Sequence, residues 1–286
     1  MRSVVWLCFW LILCLHGMGL FGAFAQQAPQ GAHYESHAPG KPRVIIFVHG
    51  FTGTADDSWR APNGKNFPTL LATDDRVKQA NVFVASYDTR WRNENSTIAQ
   101  LAEKVYKQLS DLGVLGEHKE VIFVCHSLGG LVVERMLIDH PDIAAKTPFI
   151  QFYGTPHEGV LSPTTNPLLG FIKLFGENSL IPELRAGSGN EVLVQLDKDW
   201  KARQFGGIHR FCAIEIRRTY LSHVPDVSGI LVPYFSGSYG CDSSVPVDRI
   251  DADHVTMVRT ADRTGLGNEA YLTPPAAWIM ETCPSF

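Results

Sequence analysis

The sequence predicts an α/β protein: a mostly parallel sheet covered by helices on both faces. Three observations predict it. Short β-branched runs recur along the chain and are apolar at every position, as strands buried on both faces require. Segments with helical spacing lie between them. One of these runs also hands over to a helix through a turn that carries a serine among small residues. The 286 residues are 45% apolar and 19% charged, which is ordinary for a globular chain and excludes disorder as the main state. A net charge of -4 offers no general basic excess to neutralise phosphates, so no nucleic-acid partner is expected.

The elements follow in chain order. Met1 to Ala25 holds Arg2, an apolar run from Val4 to Leu15 and then Ala23-Phe24-Ala25. That is the pattern of a secretory signal peptide cleaved after Ala25. Its apolar run is shorter than the roughly 20 residues that span a bilayer, so a secreted or periplasmic location is expected. Residues 26–42 are polar and rich in Pro and Gly, and read as a flexible lead-in. Residues 43–286 are expected to form the domain.

Strands are predicted at Val44–Val48, Asn81–Ser86, Glu120–Cys125, Pro148–Tyr153, Arg210–Ile214 and Ile230–Phe235. Ile98, Leu101, Ala102, Val105, Leu109 and Leu112 fall on one face of a helix, with Asn95 or Ser96 as its cap and Gly113 as its stop. A second helix runs from Leu128 to about His140, before Pro141. Residues 157–207 form an insertion after the fourth strand. Its apolar stretch Asn166–Phe175 reads equally as a lid over an acyl pocket or as a helix on the core. Cys125 and Cys212 lie in apolar runs and read as small hydrophobes. Cys241 and Cys283, near Gly and Pro, are the expected disulfide.

The chemistry centres on Phe123–Val132, where strand meets helix with Ser127 at the tip. In such an elbow the residues two before and two after the nucleophile are small, so that strand and helix pass closely. Here they are Cys125 and Gly129. The helix that begins at Leu128 aims its first N–H groups at the reaction centre. The Leu128 N–H is one expected oxyanion donor, and the Phe51 N–H, after His49-Gly50, is the other. His49 reads as a brace for that loop.

A serine hydroxyl needs a general base. With the order Ser, acid, His that accompanies this elbow, the candidates are His157, His209, His223 and His254, and His254, the last, is preferred. His126 is expected to turn its side chain away from Ser127. The acid has two strong candidates: Glu215 at the end of the fifth strand and Asp242 in Asp-Ser-Ser-Val-Pro. Asp226, Asp248, Asp251 and Asp253 are weaker. There is no H-E-x-x-H, no C-x-x-C pair and no P-loop, so neither metal nor cofactor is expected.

With these residues in place, the chain resembles the α/β-hydrolases. More narrowly, it resembles the serine-esterase branch related to the inositol deacylases of GPI anchors and to the serine-active-site lipid-remodelling proteins. The resemblance rests on Val-His-Gly-Phe at 48–51, Cys-His-Ser-Leu-Gly-Gly at 125–130, Phe-Tyr-Gly-Thr-Pro-His at 152–157 and Asp-Ala-Asp-His at 251–254. It covers about residues 43–260.

The resemblance implies an α/β-hydrolase fold with a lid-like insertion. It implies a Ser127-His254-acid triad that cleaves carboxylic esters through an acyl-enzyme, as a secreted esterase or lipase. In that branch a Glu at a strand end is followed four residues later by Thr, as Glu215 and Thr219 are, which favours Glu215. Members of the branch often carry Cys at the position of Cys125. The expected partner is an ester or lipid small molecule, with transient contact at a lipid surface. The alternatives are a lipid acyltransferase on the same triad, or a non-catalytic lipid-binding module on a hydrolase frame.

Overall fold

A computed structural model of the chain describes residues 31–89, 96–160, 179–186, 189–220 and 228–260. The expected signal peptide, the apolar stretch Asn166–Phe175, His223, Asp226 and Cys283 lie outside these residues. Strands β1 (His33–Ser36), β2 (Arg43–Val48), β3 (Ala80–Val84), β4 (Glu120–His126), β5 (Phe149–Tyr153), β6 (His209–Glu215) and β9 (Asp248–Ile250) form one sheet in the order β1-β3-β2-β4-β5-β6-β9. All its pairs are parallel except β1 with β3. Between β6 and β9, β7 (Thr219–Tyr220) and β8 (Ser228–Gly229) make a two-residue antiparallel ribbon.

Each central strand is buried on both faces, and side-chain alternation sorts its residues into two cores. Val44, Ile46 and Val48 of β2 face the side that carries α2 (Ile98–Asp111) and α4 (Leu128–Asp139). Ile45 and Phe47 face Trp59 and α1 (Phe67–Ala72). Helix α2 buries Ile98, Leu101, Ala102, Val105 and Leu109. Its cap is Thr97, one residue past the predicted pair. Thr97 accepts from the Gln100 N–H while the Gln100 side chain accepts from the Thr97 N–H, a capping box that Ser96 cannot close. Gly113 ends the helix at φ 75°, and α3 (Val114–Glu117) follows. Pro141, read as a stop, instead opens the short helix α5 (Pro141–Ala144), as suits a residue without an N–H.

The structure departs further from the sequence reading in the lead-in, around the last strand and in the disulfide. Within the lead-in, His33–Ser36 pairs with β3, with Tyr34 edge-on against Phe83 and the Ala38 N–H donating to Asn81 Oδ1 at 2.8 Å. Ile230–Phe235 is not a sheet strand. Pro233 has no N–H for a ladder, the Val232 N–H donates to the Glu215 carboxylate, and Tyr234–Gly237 is helical. The sixth parallel strand is Asp248–Ile250 instead.

Cys212 bonds to Cys241, so neither the apolar reading of Cys212 nor the Cys241–Cys283 pair holds. The cause is local. The Asp242 N–H donates to the Arg210 carbonyl, which lays this strap along β6 and brings the two Cα atoms to 6.0 Å. Within the insertion, helix Glu191–Arg203 packs on the core through Leu193 and Leu196 and is tied to α4 by Arg135–Asp199 at 2.8 Å.

Candidate active site

The carboxyl ends of β2, β4, β5 and β6 converge on Ser127, which sits between β4 and α4 at φ 53°, ψ -126°. A β-carbon-bearing residue rarely adopts this conformation, and it survives where its surroundings over-determine it. The Ser127 N–H donates to the Tyr153 carbonyl at 2.9 Å. Gly50 lies so close that a Cβ there would come within 2.7 Å of Ser127 Cβ. A Cβ at Gly129 would press into the carbonyl oxygens of Val48 and His49, so the elbow needs glycine at that position.

His254 Nε2 lies 3.0 Å from Ser127 Oγ. On the far side of the ring, Nδ1 lies 3.3 Å from Oε1 of Glu215, which is 2% exposed. That carboxylate oxygen also accepts from the Val232 N–H at 2.8 Å. Burial pushes the Glu215 carboxyl up, but the facing His254 and the N–H groups of Val232 and of Glu215 itself outweigh it. The net effect holds it below the ordinary carboxylate value, as an anion. The structure therefore brings Ser127, His254 and Glu215 together.

Asp242, the alternative acid, is not among them. It pairs with His209 at 2.6 Å, and that pairing together with Ser244 draws its carboxyl down to about 2. Asp251 pairs with Arg217, and Asp253 accepts from the backbone N–H groups of Val255 and Thr256. Asp248 is half-buried in β9, where burial raises it to about 6. Of the other histidines, His157 is buried 3.4 Å from Glu134 on α4.

Three positions hold His254 in roles that the sequence reading did not give them. The His254 N–H donates to Thr219 Oγ1 at 3.0 Å, and its carbonyl accepts from His126 Nε2 at 2.8 Å. A carbonyl has no proton to give, so the His126 ring carries its proton on Nε2. Burial, with His254 nearby, drives His126 down to about 3, so the ring stays neutral. Gly154, at φ 55° after β5, gives the imidazole its space, since a Cβ there would come within 3.0 Å of His254 Cε1 and Nδ1. The Glu-x-x-x-Thr spacing flagged Thr219. Nothing in the sequence marks Gly154 for this role.

Phe51 and Ser127 line one cavity of about 200 Å³, with His254, Thr219, Leu231, Val255 and Arg259 among its other walls. Phe51 stands in the turn closed by Gly53 N–H to the Gly50 carbonyl at 3.1 Å. His49 braces that turn. Its Nε2 accepts from the Tyr87 N–H, its ring stacks on Tyr87 and its Nδ1 donates to the Gly50 carbonyl. Burial takes His49 down to about 4. Leu128, fully buried, opens α4, where the first N–H groups have no acceptor within the helix. A groove of about 770 Å³ shares Gly53, Thr54 and Asp57 with this cavity but is not lined by Ser127, His254 or Glu215. Among the described residues no three His, Cys, Asp or Glu side chains gather as metal ligands would. No described helix is long and apolar enough to cross a membrane.

Compared with known proteins, the chain matches no family model. It is similar to protein SERAC1 of Danio rerio, at 26% identity over 253 residues that cover 75% of this chain and 36% of that protein. The Bos taurus SERAC1 is 30% identical over 154 residues, 44% of this chain and 23% of that protein. The chain thus spans about a third or less of the length of these relatives. Among solved structures, the mature form of the Bacillus licheniformis lipase BlEst2 superposes with a TM-score of 0.53 at 15% identity, covering 86% of this chain and 97% of that one. Together with the parallel sheet and its helices, this shows the fold: the chain is an α/β-hydrolase in architecture.

Proposed function

We propose that this chain is an exported serine hydrolase that cleaves carboxylic esters, with Ser127 as nucleophile, His254 as general base and Glu215 as the acid. The observation that carries the reading is the line of contacts from Ser127 Oγ to His254 Nε2 at 3.0 Å and from His254 Nδ1 to buried Glu215 at 3.3 Å. Such a line suits two-step acyl transfer. Ser127 Oγ bonds to the ester carbonyl carbon as its proton passes to His254 Nε2. The carbonyl oxygen becomes an oxyanion facing the N–H groups of Phe51 and Leu128. The C–O bond then breaks, and the alcohol leaves with the proton from His254. Water, deprotonated by the same ring, releases the acid and restores Ser127.

Glu215 holds the imidazole with its proton on Nδ1 and offsets the charge that the ring acquires. The 3.3 Å separation is long for a hydrogen bond to a carboxylate, and such contacts tighten once the ring is charged. Each oxyanion donor contributes about 3–4 kcal/mol to the barrier reduction in sites of this kind. Exposed Val255 at the cavity wall and exposed Tyr234 and Phe235 suit a substrate with an apolar portion, or contact with a lipid surface. The leader pattern of residues 1–25 and the Cys212–Cys241 bond support export to an oxidising compartment.

A fluorophosphonate probe followed by mapping of the adduct tests the reading. Labelling at Ser127 with turnover of p-nitrophenyl esters is expected, and both vanish in Ser127→Ala. Equal turnover by the two proteins sinks the Ser127 mechanism. An added alcohol acceptor reports acyl transfer if the ester of that alcohol accumulates in place of the free acid.

A further inference from the structure

Arg259 follows His254 closely, at the end of the short turn Thr256–Val258, and lines the same cavity as Ser127 and His254. Its Nε is buried and has no hydrogen-bond partner. Among the described residues no Asp or Glu forms an ion pair with its guanidinium. Arg210 also has an unpartnered Nε, but it is paired with Glu134 and lies over the rings of Phe152 and Trp200.

A guanidinium keeps its charge at any ordinary pH, and buried donors are almost always paired. At the wall of a reactive cavity, the Arg259 Nε has no partner among the described residues to explain its burial. Among the described residues, the only carboxylate lining this cavity is that of Asp57, which is exposed and not ion-paired with Arg259. The other polar groups here include the hydroxyls of Thr52, Thr54, Ser58 and Thr219 and the rings of His126 and His254. The positive charge of Arg259 is one of the influences that keep His126 neutral. At about 200 Å³ the space is small for a ligand site, so a group that meets Arg259 lies close to the carbonyl under attack.

We propose that Arg259 is a substrate-binding residue that selects esters carrying an anionic group, a carboxylate or a phosphate, near the scissile bond. The proposal rests on the ester-hydrolase reading and gives it a substrate class. The guanidinium fork matches the planar oxygens of either anion and pairs with them in two parallel hydrogen bonds.

The test uses two matched pairs of esters. Mono-p-nitrophenyl glutarate is compared with p-nitrophenyl butyrate for the carboxylate, and dibutyrylglycerol 3-phosphate with tributyrin for the phosphate. In the wild type, kcat/KM is expected to be higher for the anionic member of at least one pair, and which pair identifies the anion. In Arg259→Met the ratio of anionic to neutral kcat/KM is expected to fall at least tenfold. In Arg259→Lys, which keeps the charge but not the fork, it falls to an intermediate value. That variant carries the comparison if the methionine protein does not fold.

No anionic preference in either pair overturns the proposal. So does a ratio unchanged in Arg259→Met, since a merely structural role lowers both members together. If the wild type cleaves none of the four esters and takes no fluorophosphonate, the hydrolase reading fails by itself. Calorimetric binding of the same two anionic esters to Ser127→Ala, with and without Arg259→Met, then decides the subsite. A tenfold weaker Kd supports it and an equal Kd overturns it.

Discussion

Replacing Gly154 by Ala should slow the site without changing the chemistry of any proposed reacting group. The added Cβ would stand 3.0 Å from both Cε1 and Nδ1 of His254 and 3.1 Å from Met257 Sδ. Carbon contacts are comfortable at about 3.5–4.0 Å, so something must give by about 0.5 Å or more. The backbone cannot swing aside, because the Gly154 N–H donates to the Ala213 carbonyl at 2.8 Å. Its φ of 55° adds about 1–2 kcal/mol for any residue with a Cβ. Overpacking of this kind adds about 1–3 kcal/mol. Part of the strain is relieved by pushing the imidazole off its line to Ser127 Oγ, and a displacement near 1 Å costs on the order of a hundredfold in rate.

Gly154→Ala is therefore expected to lose about 2–5 kcal/mol of stability and about 10- to 100-fold in kcat on p-nitrophenyl butyrate. Urea unfolding and steady-state kinetics on the same preparation check both. Gly116→Ala serves as the control, since a Cβ there meets nothing within 4 Å and its φ is not positive. That variant should gain about 0.5–1 kcal/mol with unchanged turnover. If Gly154→Ala keeps kcat within about threefold of the wild type, against the hundredfold scale of such displacements, the argument that Gly154 makes room for the imidazole is wrong.

The other predictions concern charge and covalent ties. Glu215→Gln should lower kcat by about 10³- to 10⁴-fold through loss of the tautomer anchor, while Asp242→Asn keeps turnover; the reverse pattern would return the acid to Asp242. His49 and His126 are buried and held down at about 4 and about 3, against 6.5 when unfolded. From pH 6.5 down toward those values the unfolded chain binds more protons, so stability falls as pH falls. Each ring should cost about 2 kcal/mol between pH 7 and pH 5, and an unfolding free energy that is flat across that interval would refute this. The Cys212–Cys241 bond closes a sequence separation of 29 residues. Cys241→Ala should cost about 3.6 kcal/mol by loop closure, or roughly 10 °C in Tm for a domain of this size. Calorimetry with and without reductant measures it, and an unchanged Tm under reduction argues against the bond.

The strands and the elbow were legible because each is local. A run such as Val44–Val48 is apolar at every position only if both of its faces are covered, and the structure divides it between two cores. What could not be read depends on where distant segments meet. Asp242 and Glu215 both preceded the last histidine at workable distances, and only the sheet order puts β6, with Glu215 at its end, beside β9 and the loop that carries His254. The strand His33–Ser36 sits in a polar stretch whose pairing comes from the exposed edge of β3, not from its own pattern. Cys212 read as a hydrophobe because its neighbours are apolar; the strap that brings Cys241 to it is held by one backbone bond to Arg210. At Ile230–Phe235, β-branched character was outweighed by Pro233 and by the claim of Glu215 on the Val232 N–H.

Because the strands of the central sheet run the same way, the reactive groups gather at one end and leave the other free for handling. Lys119 is exposed just before β4, and Ser127 follows β4 directly. At about 3.3 Å per residue the two lie roughly 25 Å apart, on opposite rims. A fluorophore, a bead or a fused partner attached at Lys119 would therefore leave the cavity mouth unobstructed, which makes that rim the natural anchor for immobilised or single-molecule work.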